Sequence, residues 1–297
     1  MSTDTSIWIR NQFYNHIVGS ILPLSWFAPR SPRPAELSKA DSPVKLQIVS
    51  HCWNYSHLSL FQLSSLVNYP PENCELTYTL FHAEEDMGMR ELISRFSDMQ
   101  VPNITWDWQV LPKAELFRRA IGRHRAALTS TADWIWFTDC DLIFHEGCLD
   151  SLVTAVSGKQ TGMVFPAYEW ITDLLPPEHA LLNQSMSNTG TIDIDPELFQ
   201  RNTINKAKGA FQIVHGDVAR AAGYCGSIPL YQSPSEQWRK TYEDTVFRRL
   251  IGYQGEPVEI KNLYRIRHAE KGRYAKDSRL SYFRKRLRKA TDNVSSE

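Results

Sequence analysis

The sequence predicts an α/β fold: a mostly parallel central sheet flanked by helices, in a single domain. Three observations carry this. Short runs rich in β-formers alternate with runs of helical period, which is the pattern of βαβ units and right-handed crossovers. One run, Trp134 to Phe137, is apolar throughout, as expected of a strand buried on both faces. The chain has 297 residues and is 42% hydrophobic, enough to cover both faces of such a sheet.

The elements follow in order. Ile9, Phe13, Ile17 and Ile21 recur every four residues, so Ile7 to Leu22 reads as a helix. It packs on the domain or lies in a membrane surface. Ala28 to Pro43 holds four prolines and reads as a linker. Lys45 to Ser50 is the first strand, followed by the turn His51-Cys-Trp-Asn-Tyr-Ser-His57 and a helix over Leu58 to Val67. A second strand, Glu75 to Phe81, runs into the acidic loop Glu84-Glu-Asp86. Met87 to Ser97 is helical, Ile104 to Val110 a strand, and Ala114 to Thr129 one helix. After the strand Trp134–Phe137 come a helix (Cys148 to Val156) and a strand (Gly162 to Ala167). Trp170 to Asp195 reads as a long irregular loop. A strand (Ala210 to Val214), a helix ended by Gly223 and a loop (Tyr231 to Lys240) follow. Glu243 to Ile251 is helical, and Val258 to His268 contains a late strand. The expected organisation is a helix and linker over 1–44, the main domain over 45–270 and a basic tail over 271–297.

Bulk numbers exclude some classes. Lys+Arg and Asp+Glu both total 33, so overall charge does not point to nucleic acid. The five cysteines are an odd number without metal-type spacing, so the expected compartment is the reducing cytoplasm. No secretory leader is legible, and the apolar stretch Ile17 to Ala28 is too short to span a bilayer. Between Lys271 and Lys289 nine Lys/Arg face one acid, Asp277. That segment is a solvated tail or a contact for anionic lipid at the inner face of the membrane. No nucleic-acid recognition fold accompanies it.

Chemistry concentrates at Asp139-Cys-Asp141, directly after the buried strand. In extended chain these two carboxylates share a side. Like charges so close call for a cation, and oxygen ligands favour Mg²⁺ or Mn²⁺. Arg118, Arg119 and Arg123 could meet diphosphate oxygens or form a solvated helix face. Glu243 and Asp244 open a helix, where carboxylates either cap the dipole or act as a general base. Alternation in Tyr264-Arg-Ile-Arg-His268 puts His268 on the face of Tyr264 and Ile266, and a neutral imidazole also binds Mn²⁺.

On these residues the chain resembles a known family. Lys45–Val67 looks like the opening unit of family 2-type glycosyltransferases of the GT-A fold. Phe117-Arg-Arg-Ala120 with Trp136-Phe-Thr-Asp-Cys-Asp-Leu-Ile143 is similar to the β-1,4-galactosyltransferase-like branch. Gly209-Ala-Phe-Gln-Ile-Val-His-Gly-Asp217 with Ala222-Gly-Tyr224 resembles its acceptor-side segment, Glu243-Asp-Thr-Val-Phe-Arg-Arg249 its Glu-Asp helix, and Arg267-His268 its metal histidine. The resemblance implies a GT-A catalytic domain that moves a sugar from a nucleotide-sugar donor, UDP-linked by expectation, to a hydroxyl of a glycan or lipid-linked acceptor. It implies metal contacts at Asp139, Asp141 and His268, with Asp139 also near the donor ribose. It implies catalysis at Asp244 and its neighbour Glu243. Donor contacts would come from His51, Trp53, Asn54, Glu84, Asp86, Arg119 and Arg123. The expected stereochemistry is inversion, with retention as the alternative. Two departures stand out: no Trp-Gly-Gly precedes the Glu-Asp pair, and Arg265 occupies a place where that branch can supply a Met ligand.

A metal-dependent nucleotidyltransferase would want a Gly-rich, basic loop after the first strand, and His51–His57 is neither. An inactive binding or scaffold protein of the same fold has no reason to keep Asp139, Asp141, Asp244 and His268 together.

Overall fold

The computed structural model describes residues 30–40, 42–187, 190–237 and 241–268, together with positions 6, 9, 10, 12–14 and 26; for 184–187 it describes the backbone only. Most of the expected N-terminal helix, residues 238–240 of the 231–240 loop and the basic tail lie outside these residues.

Eleven strands are described: β1 (Val44–His51), β2 (Cys74–His82), β3 (Ile104–Val110), β4 (Trp134–Phe137), β5 (Leu142–Phe144), β6 (Met163–Pro166), β7 (Tyr168–Thr172), β8 (Phe199–Thr203), β9 (Gln212–His215), β10 (Glu256–Val258) and β11 (Leu263–Arg265). Seven form a central sheet in the order β10-β6-β9-β4-β1-β2-β3. Within it β3, β2, β1 and β4 are mutually parallel, as predicted, whereas β9 runs antiparallel to β4 and β6. Helices Ser56–Asn68, Met87–Ser97 and Arg119–Thr129 connect the parallel strands. β4 is buried at all four positions, with Trp136 and Phe137 fully enclosed.

The structure corrects the sequence reading at three places. The expected helix Ala114–Thr129 is two pieces, Lys113–Leu116 and Arg119–Thr129, because Arg118 leaves the helical region (φ −111°, ψ 82°). Its guanidinium instead reaches the Ser233 carbonyl at 3.3 Å. The break makes Arg119 the first residue of a helix.

The stretch Trp170–Asp195 is not a loop throughout: it contains the end of β7 and the helix Ala180–Ser187. β7 belongs to a second sheet, β5-β11-β7-β8. This strand was hidden because its inward face carries a charge. Glu169 is fully buried and is neutralised by Arg265, which donates to both carboxylate oxygens at 2.6 and 2.7 Å.

The third correction concerns Asp139 and Asp141. They lie in the turn between β4 and β5, not in extended chain. The buried amide of Gln62 shapes that turn by donating to the carbonyls of Asp139 (3.0 Å) and Leu142 (2.9 Å).

Candidate active site

The parallel strands end together at one edge of the sheet, and the cleft lies there. It is lined by His51, Trp53 and Tyr55 after β1, by Phe117 and Arg119 at the helix break, by Asp139 and Asp141 after β4, and by His268. This is the position expected of a ligand site on an open α/β sheet, beyond the carboxyl ends of the strands.

Asp141 and His268 are 127 residues apart in sequence (268 less 141), yet one hydrogen-bonded path joins them. The Ile266 amide donates to the Asp141 carbonyl at 3.3 Å, extending the β5–β11 pairing. The Arg267 amide donates to Thr172 Oγ1 (2.9 Å), and its carbonyl accepts from Leu175 (2.8 Å). His268 is thereby threaded between the β7 segment and the cleft. Its ring is 5% exposed and packs edge-on against Tyr55 at 5.2 Å.

Arg119 links both halves of the site. Its guanidinium hydrogen-bonds Asp139 and lies 3.6 Å from the buried carboxylate of Glu243. Burial disfavours its charge, but the Asp139 and Glu243 carboxylates outweigh that and raise its pKa. A second link runs behind the first. Arg123 is fully buried; it donates to Tyr224 Oη (2.8 Å) and to the Gly209 carbonyl (3.4 Å), and stands 3.7 Å from Asp139. The Gly209 amide donates in turn to Asp244 Oδ2 at 3.0 Å. Asp244 is half-buried, whereas Glu243 is only 3% exposed.

The sequence-predicted residues therefore separate. His51, Trp53, Arg119, Asp139, Asp141 and His268 line one cavity. Glu243, Asp244 and Arg123 back it through the two links just described. Asn54 and Asp86 stand behind the β1 turn: the Asp86 carboxylate accepts from the Asn54 amide (2.6 Å) and caps the helix Met87–Ser97 through Met89 (3.2 Å). It holds Asn54 in a left-handed conformation at φ 56°. Glu84 is exposed and is not among the lining residues.

Sequence reasoning missed Tyr55 and Cys140 in the lining. Tyr55 falls inside the His51–His57 turn, so proximity to His51 was the available signal.

His51 sets the wall between β1 and the helix Arg119–Thr129. Its ring stacks on Phe81 at 4.9 Å. The helix passes so close that a Cβ on Gly122 would lie 2.3 Å from His51 Nε2. Burial, then the charges of Arg123 and Arg119, hold its pKa well below 6.5. His57, His82, His124 and His215 are depressed too, each mainly by burial. Below pH 6.5 the unfolded chain takes up protons that the folded chain refuses. Stability is therefore complete above the unfolded pKa and falls as pH drops, by about 1.4 kcal/mol per pH unit for each proton. Urea unfolding at pH 7.5, 6.5 and 5.5 should show a declining midpoint, and His51→Gln should flatten the decline. A midpoint unchanged over that range would contradict the burial of these rings as neutral species.

The cavity volume is about 70 Å³, room for water and not for a nucleotide. The donor set, two carboxylates and one imidazole on one cavity wall, suits Mg²⁺ or Mn²⁺ in kind. Among the described residues no three His, Cys, Asp or Glu side chains converge as a ready ligand set, and Asp139 is engaged by Arg119. All five cysteines are free and buried. Among the described residues no helix is long and apolar enough to cross a membrane.

A family model described as glycosyl transferase family 2 matches residues 88–211. The match takes in Phe117–Ala120 and Asp139–Asp141 and ends before the helix Glu243–Ile251; similarity to the galactosyltransferase-like branch is not shown. No curated protein matches the sequence. Among solved structures, S. aureus TarS 1-349 is similar at 10% identity over 75% of this chain and 60% of that one, with a TM-score of 0.47. The same fragment in complex with UDP-GlcNAc gives 12% identity, 82% and 65% coverage and a TM-score of 0.46. The mannosyltransferase PcManGT from Pyrobaculum calidifontis, in complex with GDP-Man and Mn²⁺, gives 11%, 90%, 66% and 0.46. The chain spans less than two thirds of each of these proteins, and at such TM-scores no donor or metal for this chain follows from them.

Proposed function

We propose, for a chain that carries a glycosyl transferase family 2 segment on a GT-A type sheet, the transfer of a sugar from a nucleotide-sugar donor to an acceptor hydroxyl. The observation that carries the reading is the meeting of Asp139, Asp141, Arg119 and His268 on one cavity at the carboxyl ends of the parallel strands. The resemblance favours a UDP-sugar and a glycan or lipid-linked acceptor.

Cleaving the sugar–nucleotide bond leaves negative charge on a diphosphate. Arg119, charged and fixed at a helix start, would bind those oxygens as charge develops. It must exchange its contact with Asp139 for the ligand, and Trp53 and Phe117, which meet edge-to-face at 5.7 Å, must part to admit the base. Asp139, Asp141 and His268 would hold a divalent cation, which when bound supplies Lewis-acid stabilisation of the diphosphate. His51, neutral and buried, would form the wall against which the donor lies. Asp244 takes the proton of the attacking hydroxyl. It is preferred over Glu243 because it is the more accessible of the two, and a base must reach its proton. One displacement of this kind inverts the anomeric centre.

The deciding experiment is a thermal-shift panel of UDP, GDP, CDP, ADP and dTDP with and without Mn²⁺. Stabilisation follows mass action, so the best base appears as the largest shift. UDP with Mn²⁺ is expected to give it. No shift with any nucleotide would favour the scaffold reading.

A further inference from the structure

The central sheet has a second concavity, at the opposite end of its strands. It holds about 580 Å³ and is lined by Lys45, Gln47, Thr77, Thr105, Asp107 and Thr131 among others. That volume lies within the roughly 300–1,000 Å³ of ligand sites. Its floor is one face of β1, β2 and β3, where Gln47, Thr77 and Thr105 are in direct register. From Gln47 to His51, which lines the active-site cleft, the strand rises by about 13 Å.

The floor contains a hydrogen-bond chain whose direction is set by chemistry. The Thr79 hydroxyl donates its single proton to Asp107 Oδ2 at 2.8 Å. It must therefore accept from Gln47, whose Nε2 lies 2.8 Å away. Gln47 is 7% exposed, and Oε1 has no hydrogen-bond partner. The chain of hydrogen bonds fixes the Gln47 and Asp107 side chains in the floor.

The walls are fixed before any ligand arrives. On one side, Arg220 donates to the carbonyls of Ser130 (3.3 Å) and Ala132 (2.9 Å), and Asp133 clamps Lys45 by two hydrogen bonds of 2.8 Å. On the other, Asn103, at φ 61°, donates to the Pro71 carbonyl (2.9 Å) and accepts from the Leu76 amide (2.8 Å). Such preorganisation lowers the cost of binding.

The lining selects the ligand class. Among the described residues of the lining one cation, Lys45, is outnumbered by Glu75 and Asp107, which disfavours phosphate, acidic lipid and nucleic acid. The remaining groups are mostly neutral hydroxyls and amides, able both to donate and to accept. We propose that this groove, built on Gln47, Thr77, Thr105 and Asp107, binds a short neutral oligosaccharide remote from the cleft. The proposal concerns binding and stands whether or not the chain transfers sugar.

The test uses the full chain with UDP and Mn²⁺ at saturating concentration, titrated with maltotetraose, cellotetraose, xylotetraose and tetra-N-acetylchitotetraose. Amide NMR shifts report the place of binding. At least one sugar should shift Thr77, Asn103, Thr105 and Thr131 at millimolar concentration. The pair Thr77→Val and Thr105→Val keeps the side-chain shape and strand preference, and should weaken that binding about tenfold or more without lowering the thermal midpoint. Gln47→Leu, which breaks the hydrogen-bond chain of the floor, should weaken it as well. No shift at these amides with any sugar means that the groove holds water only and overturns the proposal. So do shifts confined to His51 and Asp139, shifts unaltered in all variants, or stronger shifts with inorganic phosphate or spermidine.

Discussion

Replacing Asp141 by asparagine is expected to erase the metal-dependent part of nucleotide stabilisation and to cut turnover by at least about a hundredfold. The substitution keeps the shape of the side chain and removes its charge. Asp141 sits where the β4–β5 turn meets the strand that leads to His268, and its backbone carbonyl, which asparagine keeps, accepts from the Ile266 amide there. The fold should therefore survive, and the thermal midpoint without ligand should move little. The informative comparison is UDP with and without Mn²⁺ in both proteins. If the Mn²⁺-dependent increment persists in Asp141→Asn, the ion is held elsewhere and the site assignment fails. If the increment vanishes while turnover stays, the ion binds there without serving the reaction.

Asp244→Asn should separate chemistry from binding. Loss of a general base lowers kcat by about 10²- to 10⁴-fold. KM for the donor and the thermal shift with nucleotide should stay close to the parent values, because Asp244 faces the Gly209 amide and not the cavity lining. Glu243→Gln provides the contrast. Glu243 is buried, accepts from Thr241 Oγ1 at 3.0 Å and stands beside Arg119. Neutralising it should loosen the hold on Arg119 and so weaken nucleotide binding. Should Glu243→Gln abolish turnover with binding intact while Asp244→Asn works normally, the two roles are reversed.

The legible parts of the fold share a property. The helices Met87–Ser97, Cys148–Val156, Gly216–Ala222 and Glu243–Ile251, and the strand Ile104–Val110, begin and end where the sequence placed them. Each is delimited by local signals: a capping Asp86, a terminal Gly223 or Gly252, or strict periodicity. The failures share another. β7 escaped notice because Glu169 is matched by Arg265, 96 residues later. The helix break at Arg118 depends on Ser233, 115 residues later. Both are long-range ion or hydrogen-bond contacts that override local preference.

The site divides along the same line. The residue types, their order and the buried strand before Asp139 were sufficient to nominate a carboxylate pair, an arginine helix and a downstream histidine. They follow from local composition and spacing, which a single sequence carries in full. Only the folded chain decided which of them meet. It brought His268 to Asp141 through the pairing of β5 with β11, and made Arg119 the bridge between Asp139 and Glu243. It set Asp86 and Asn54 behind the wall as supports, and gathered polar residues of β1, β2 and β3 with the end of the helix Arg119–Thr129 around one groove. Such arrangements are set by strand order and by contacts between distant segments. The physical reason is that chain spacing limits which groups can approach, while the packing of whole elements selects which of them do.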